Sequence, residues 1–443
     1  MKTTRIGAVR QADTSLWPIA RRVGSVIAYA GVPASTLSPA AGILTSVNVL
    51  TSFYAVAIFG VIGVLRGARI PPGLVPLSYF LLAWYCVLLA IELIHGGPFH
   101  YFPARGPNYL AHYFPLLVLP FFAIGLQEVK VEMRILMPVI MLTILFSACL
   151  GLYQFFVLGI DRPHGFYANP IPFGLIVLTW SLVLFSRALQ TEKVEWIGLS
   201  VALIGLVPII LSGSKIVWIC AALGYLSLFV LWAWTARKWI ALGLIAVSIA
   251  PLAWLLSSVQ VVRTRVAEFM VDFGAYLASG DTSGPTFGLR IGAAISGVLA
   301  FLDRPFLGYG LAEGKTAALE HRPPGISSFA MLPNVHNDYV THLVAFGVLG
   351  LFFIVSLFAI FIVAAARRED IAIRRAGIVL GSLFLVYMMV ESVFTRPELY
   401  GLAFFILGLI IVSPERKGRD AAQLLRRRFL GGFRFVSSTP GGQ

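Results

Sequence analysis

Long apolar runs separated by short, mostly basic connections repeat along nearly the whole chain, and one connection breaks the pattern. Runs of about 20 apolar residues are enough to cross a hydrocarbon core about 30 Å thick as helix. They fall at roughly 23–43, 45–65, 74–94, 109–126, 134–158, 171–188, 195–211, 214–234, 239–256, 336–365, 376–394 and 399–413. The pattern predicts an all-α polytopic membrane protein with about twelve transmembrane helices. Residues 1–256 would hold helices one to nine on short loops, and 257–335 one large, partly helical loop. Residues 336–413 would hold helices ten to twelve, and 414–443 a basic tail. Inside the large loop, 262–278 and 287–302 have helix-like composition, parted by Gly280-Asp281-Thr282-Ser283-Gly284-Pro285, and Asp303 to Gly310 reads as a turn. Connections this long, when ordered, usually carry function.

Composition agrees with the pattern. Hydrophobic residues make up 58% of the chain and charged residues 12%, against about 25% charged in soluble domains. A net charge of +14 would point a soluble chain toward nucleic acid; here its distribution argues otherwise. With the N-terminus inside, every inside connection is positive, which predicts both termini in the cytoplasm and no nucleic-acid partner. The tail after Pro414 reads as a surface segment held near anionic lipid. The basic N-terminus is not followed by a short apolar run and a small-residue cleavage site, so no cleavable signal is expected. Cys86, Cys149 and Cys220 lie inside apolar runs and read as small buried hydrophobes.

Ten basic residues are left on the opposite face, where orientation does not require them: Arg105, Arg162, Lys215, Arg263, Arg265, Arg290, Arg304, Lys315, Arg322 and Arg396. Six of them fall in 257–335. Arginine offers a planar fork for phosphate oxygens and lysine a point charge, so Lys215, Arg265 and Arg290 together would suit a diphosphate. Each also has a plainer reading. Lys215 would snorkel to the headgroups, although a cation at a helix start is disfavoured by the dipole. Arg265 would pair with Glu268 at i,i+3; Arg290 has no acidic residue at helical spacing. The acidic residues on this face are scattered, with no Asp-x-Asp spacing suited to Mg²⁺, so no metal and no cofactor is expected.

The most suggestive residue is His336, where the polar Pro333-Asn334-Val335-His336-Asn337-Asp338-Tyr339 runs into a long apolar helix. A histidine is largely neutral at pH 7 and able to accept a proton; the plainer reading is a helix-capping or interfacial residue. Asp338, two residues on, faces another side of the helix and is a poor orienting partner, while His342 reads as structural. Glu92 and Glu391 lie within or near spans, where carboxylates are expected to be functional, though Glu391 at a helix end suits a structural hydrogen bond equally well.

With these residues in view, the chain resembles the O-antigen ligase family, whose domain is shared with O-antigen polymerases and protein O-oligosaccharyltransferases. His336-Asn337 followed by Gly347-Val348-Leu349-Gly350 resembles the family's histidine and Gly-x-x-Gly element. Arg290 followed by Arg304-Pro305-Phe306-Leu307-Gly308-Tyr309-Gly310 resembles its Arg and Pro-x-x-Gly-x-Gly element. Gly165-Phe166-Tyr167-Ala168-Asn169-Pro170 and Ser212-Gly213-Ser214-Lys215 resemble two more, with Lys215 where many relatives carry arginine; the family's tryptophan after the arginine is absent.

The resemblance implies an inverting, metal-independent glycosyl transfer at the periplasmic face of the inner membrane. The donor would be a polysaccharide on undecaprenyl diphosphate, and the acceptor a sugar hydroxyl of lipid A-core. His336 would be the general base, Lys215, Arg265 and Arg290 the pyrophosphate grip, and Arg162, His164, Asn169 and Asn337 further substrate contacts. A single long outer loop favours a ligase over a polymerase, and an inside tail argues against a protein oligosaccharyltransferase. A lipid or sugar transporter, which calls for midplane charges and repeated halves, is the remaining class.

Overall fold

The computed structural model describes residues 4–36, 49–71, 73–95, 109–167, 169–190, 193–236, 258–285, 287–330, 332 and 335–415. The expected span at 239–256 and the tail beyond Glu415 lie outside them. The helices run in the order α1 (Thr4–Ala34), α2 (Val49–Leu65), α3 (Leu74–Ile94), α4 (Tyr109–Val129), α5 (Met133–Leu152), α6 (Pro170–Ala188), α7 (Trp196–Ile204), α8 (Leu206–Leu211) and α9 (Lys215–Ala236). Then come α10 (Gln260–Ser279), α11 (Gly288–Asp303), α12 (Gly310–Glu320), α13 (Asp338–Ala366), α14 (Ile371–Met388) and α15 (Pro397–Val412). No named strand occurs among the described residues; the only β pairings there are isolated bridges at Leu189–Val194 and Arg368–Glu415.

Among the described residues, six helices are long and apolar enough to cross a membrane: Leu74–Ile94, Met133–Val157, Pro170–Ala188, Lys215–Ala236, Asp338–Ala366 and Ile371–Met388. Leu50–Leu65, Tyr113–Val129, Trp196–Leu211 and Glu398–Val412 are shorter and apolar. Three expected spans differ, one of them the run at 376–394, whose helix ends at Met388. The first helix ends at Ala34 rather than near 43, because Pro33 lies in its last turn and the Ser35 and Thr36 hydroxyls donate back to the carbonyls of Val32 and Pro33. The run at 195–211 is two helices, broken at Gly205 just before Pro208, whose missing N–H and ring disfavour a continuous helix. In the large loop the two expected helices appear with ends shifted by one or two residues, and α12 is a third that the pattern did not announce.

Among the described residues, burial gives two apolar clusters. The larger joins the long helices. The smaller is built from Leu289, Ala293, Ala300, Ala317, Ala318, Phe329 and Val335 together with Val340 and Val344 of α13. Ala345 and Phe346 already belong to the larger cluster, and next to them Gly347 is non-helical at φ 63°, ψ −154°. There the bond from Val348 N–H to the Val344 carbonyl is split between new partners. Val348 N–H donates to Pro305 O at 2.8 Å, and Val344 O accepts from Tyr309 N–H at 2.9 Å, so both groups stay satisfied at the kink. A side chain at Gly347 would meet Phe306 O at 2.3 Å, and one at Gly308 would meet Val344 O at 2.4 Å. Both glycines are needed for this docking. On the other side of the turn, Glu92 of α3 accepts from Leu311 N–H at 2.6 Å, so this carboxylate within a span caps α12 and ties the loop to the bundle.

Candidate active site

Between the two clusters lies a cavity of about 1300 Å³. One wall starts at the turn before α9. Gly213 is left-handed at φ 62°, and a Cβ there would lie 3.1 Å from Arg162 Nε and 3.3 Å from Arg265 Nε. The bare backbone thus lets two guanidiniums approach from different parts of the chain. Arg162 Nε donates to Ser212 O at 3.1 Å, and Lys215 opens α9 beside them with its ammonium 5.7 Å from the Phe269 ring. Burial, then the charge of Arg265, opposed by Glu268 and reinforced by Arg290, lowers the Arg162 guanidinium to about 10. That lowering is the mark of cations crowded together out of water, an arrangement an anion would relieve.

The facing wall carries Arg290 near the start of α11. Asp272 of α10 caps this helix, accepting from Phe287 N–H at 2.5 Å and from Gly288 N–H at 3.3 Å. Arg265, one and a half turns into α10, pairs with Glu268 at 2.7 Å and still lines the cavity; the intrahelical reading and the cavity position are both realised.

The third wall is the segment 336–339. His336 is 8% exposed and has φ 52°, shared among described non-glycine residues only with Lys130. A non-glycine residue held in this region marks a place where surrounding structure dictates the backbone. The source of that control is visible: four successive residues bond to the last turn of α14 and the corner that follows it. His336 Nδ1 lies 2.9 Å from Glu391 Oε1. Asn337 Nδ2 donates to Met389 O at 2.9 Å while its oxygen caps α13 through Val340 N–H. Asp338 Oδ2 accepts from Val393 N–H and Phe394 N–H at 2.5 and 3.4 Å. Tyr339 O–H donates to Leu385 O at 2.7 Å.

α14 ends at Met388, so Glu391 falls outside the span expected over 376–394. It is fully buried, 3.5 Å from the Arg396 guanidinium, and accepts from Ser392 N–H at 3.3 Å. Burial pushes its carboxyl up, but the bond and charge of His336, then Arg396 and Arg290, outweigh burial and hold it below its ordinary value. A carboxylate only accepts hydrogen bonds, so His336 Nδ1 carries the proton and Nε2 is the basic nitrogen.

Arg162, Lys215, Arg265, Arg290, His336 and Asn337 therefore border one cavity. His164 and Asn169 do not: the Gln154 side chain holds the turn at His164 and Gly165, and the Asn169 side chain caps α6 through Ile171 N–H at 2.9 Å. Glu391 is the partner of His336 that the sequence leaves undecided. Its only signal was an acidic residue near a helix end, 55 positions from its partner.

An all-helical membrane protein with a basic cavity, bordered by a histidine on a carboxylate, is the class that fold and site define. Residues 200–355 match the family model for O-antigen ligase, in agreement with the resemblance that the sequence motifs carry. The match covers Lys215, Arg265, Arg290, His336 and the Gly347 kink but stops short of Glu391. Among curated proteins none matches the chain.

Proposed function

We propose that this protein is an O-antigen ligase, transferring a polysaccharide from undecaprenyl diphosphate to a sugar hydroxyl of lipid A-core at the periplasmic face of the inner membrane. The observation that carries the reading is the cavity itself: four cations and a carboxylate-backed imidazole around one space large enough for a diphosphate and two sugars. The acceptor hydroxyl attacks the anomeric carbon and its oxygen forms the new glycosidic bond. The bond from that carbon to the diphosphate breaks, and its electron pair leaves with undecaprenyl diphosphate, inverting the configuration. His336 Nε2 takes the hydroxyl proton, and Glu391 stabilises the imidazolium that results. Lys215, Arg265 and Arg290, with Arg162 behind them, neutralise the leaving diphosphate through charge-assisted bonds, a task that needs no metal ion.

The test is transfer by purified protein between undecaprenyl-diphosphate-linked glycan and lipid A-core, with a chelator present. Glycan moving onto lipid A-core is the expected result. Elongation of the glycan without acceptor lipid would overturn the ligase assignment in favour of a polymerase, and dependence on added divalent metal would overturn the metal-free mechanism.

A further inference from the structure

The outward face of α11 is at odds with a helix that stands in water. Ile295, Val298, Leu299 and Leu302 are all exposed, at the i, i+3, i+4, i+7 spacing of a single stripe, where a solvated helix would present charge. The opposite face, Leu289, Gly292, Ala293, Ser296, Gly297 and Ala300, is buried in the smaller cluster. The stripe continues into the following turn, where Phe306 is 73% exposed and Leu307 41%.

The height of this ridge can be measured along α13. Residues 348–366 rise about 28 Å at about 1.5 Å per residue, nearly the whole ~30 Å hydrocarbon core. The portion before Gly347 is not needed to cross; its Val340 and Val344 pack in the smaller cluster, while Ala345 and Phe346 beside the kink join the bundle. Membrane entry therefore falls at the kink. Pro305 is hydrogen-bonded to Val348 at that level, so Phe306 and Leu307 sit where the span begins. Val348, bonded to Pro305 next to Phe306, opens an exposed stripe on α13 that continues through Phe352 and Val355. Bordering it, Arg304 stacks on Tyr309 at 4.4 Å and the Tyr309 hydroxyl donates to Asp303 at 2.5 Å, the aromatic and charged company found at headgroup depth.

We infer that α11 and the turn after it form an interfacial membrane anchor, with the ridge from Ile295 to Leu307 seated among the acyl chains of the leaflet on the cavity side. Continuity with the lipid-facing stripe of α13 selects lipid as the occupant. Because the same helix carries Arg290, Ile291 and Ala294 on the cavity wall, seating it in the leaflet sets the cavity at headgroup height. The inference is independent of the reaction catalysed.

The full-length protein, with Cys86, Cys149 and Cys220 replaced by alanine, is labelled with a nitroxide at Leu302→Cys, at Phe306→Cys and, for comparison, at the exposed Arg322→Cys. In bilayers of neutral and anionic phospholipid, labels at 302 and 306 should be relaxed several-fold more by oxygen than by a water-soluble nickel chelate, and the label at 322 the reverse. Stronger relaxation by the chelate at 302 and 306 would overturn the anchor. So would protection from both reagents with dipolar broadening between labels, which would assign the ridge to a second copy of the chain. In the unsubstituted protein a carbene precursor dissolved in the lipid should label the peptide spanning 295–307, and absence of label there would also count against lipid contact.

Discussion

The cavity has one wall that is clamped and one that is barely held. Residues 336–339 bond at four successive positions to the corner over 385–394, and His336, Asp338 and Glu391 are buried. Helix α10, across the cavity, has only Asp272 buried along its 20 residues, and Val266, Met270, Val271 and Leu277 are exposed. Under the proposed function the two walls would take different tasks. A proton transfer needs a base held within hydrogen-bond reach and at a fixed tautomer, which the clamped wall supplies; a grip on a flexible, multiply charged carrier tolerates a wall that adjusts.

The largest effect should come from the clamped wall. His336→Ala is expected to lower turnover by about 10²–10⁴-fold while the protein elutes as a folded species. His336→Asn, which accepts a left-handed backbone more readily, should be as inactive, separating lost chemistry from backbone strain. Wild-type turnover in either variant would remove His336 from the base role. Glu391→Gln should reduce kcat by roughly 10–100-fold, less than loss of the base itself, with KM for the donor nearly unchanged. Wild-type kcat in this variant would reduce Glu391 to a packing residue.

The looser wall should respond in binding. Removing one charge-assisted bond costs about 1.5–3 kcal/mol, so Arg290→Ala is expected to raise donor KM by about 10- to 150-fold, with a smaller rise for Arg265→Ala, whose charge is already shared with Glu268. A fall in kcat at constant KM would instead place these cations in transition-state stabilisation alone. Acid stability gives a subtler contrast. A carboxyl lowered in the folded state stabilises it above the ordinary carboxylate range and loses that contribution as pH falls through the lowered value. Thermal stability of wild type should therefore drop more steeply on acidification than that of Glu391→Gln. Smallest of all, amide hydrogens over 260–279 should exchange faster than those over 338–346.

Much of this was legible in the chain. Apolar runs of sufficient length can only be satisfied as helices in a membrane, which is why helices fall at ten of the expected runs. The cations were legible too, because charge that orientation does not demand calls for another reason. Tertiary structure alone decided three matters. It joined Glu391 to His336, since no local rule links residues 55 apart. It put Glu92 to work as a helix cap rather than in chemistry, because the N–H it accepts from lies 219 residues away. It also divided α13 at Gly347, where the sequence shows one unbroken apolar run and only the docking of the 304–310 turn redirects its hydrogen bonds. Periodicity is a property of neighbours along the chain; pairing across the fold depends on which surfaces meet, and that is settled only when the helices pack.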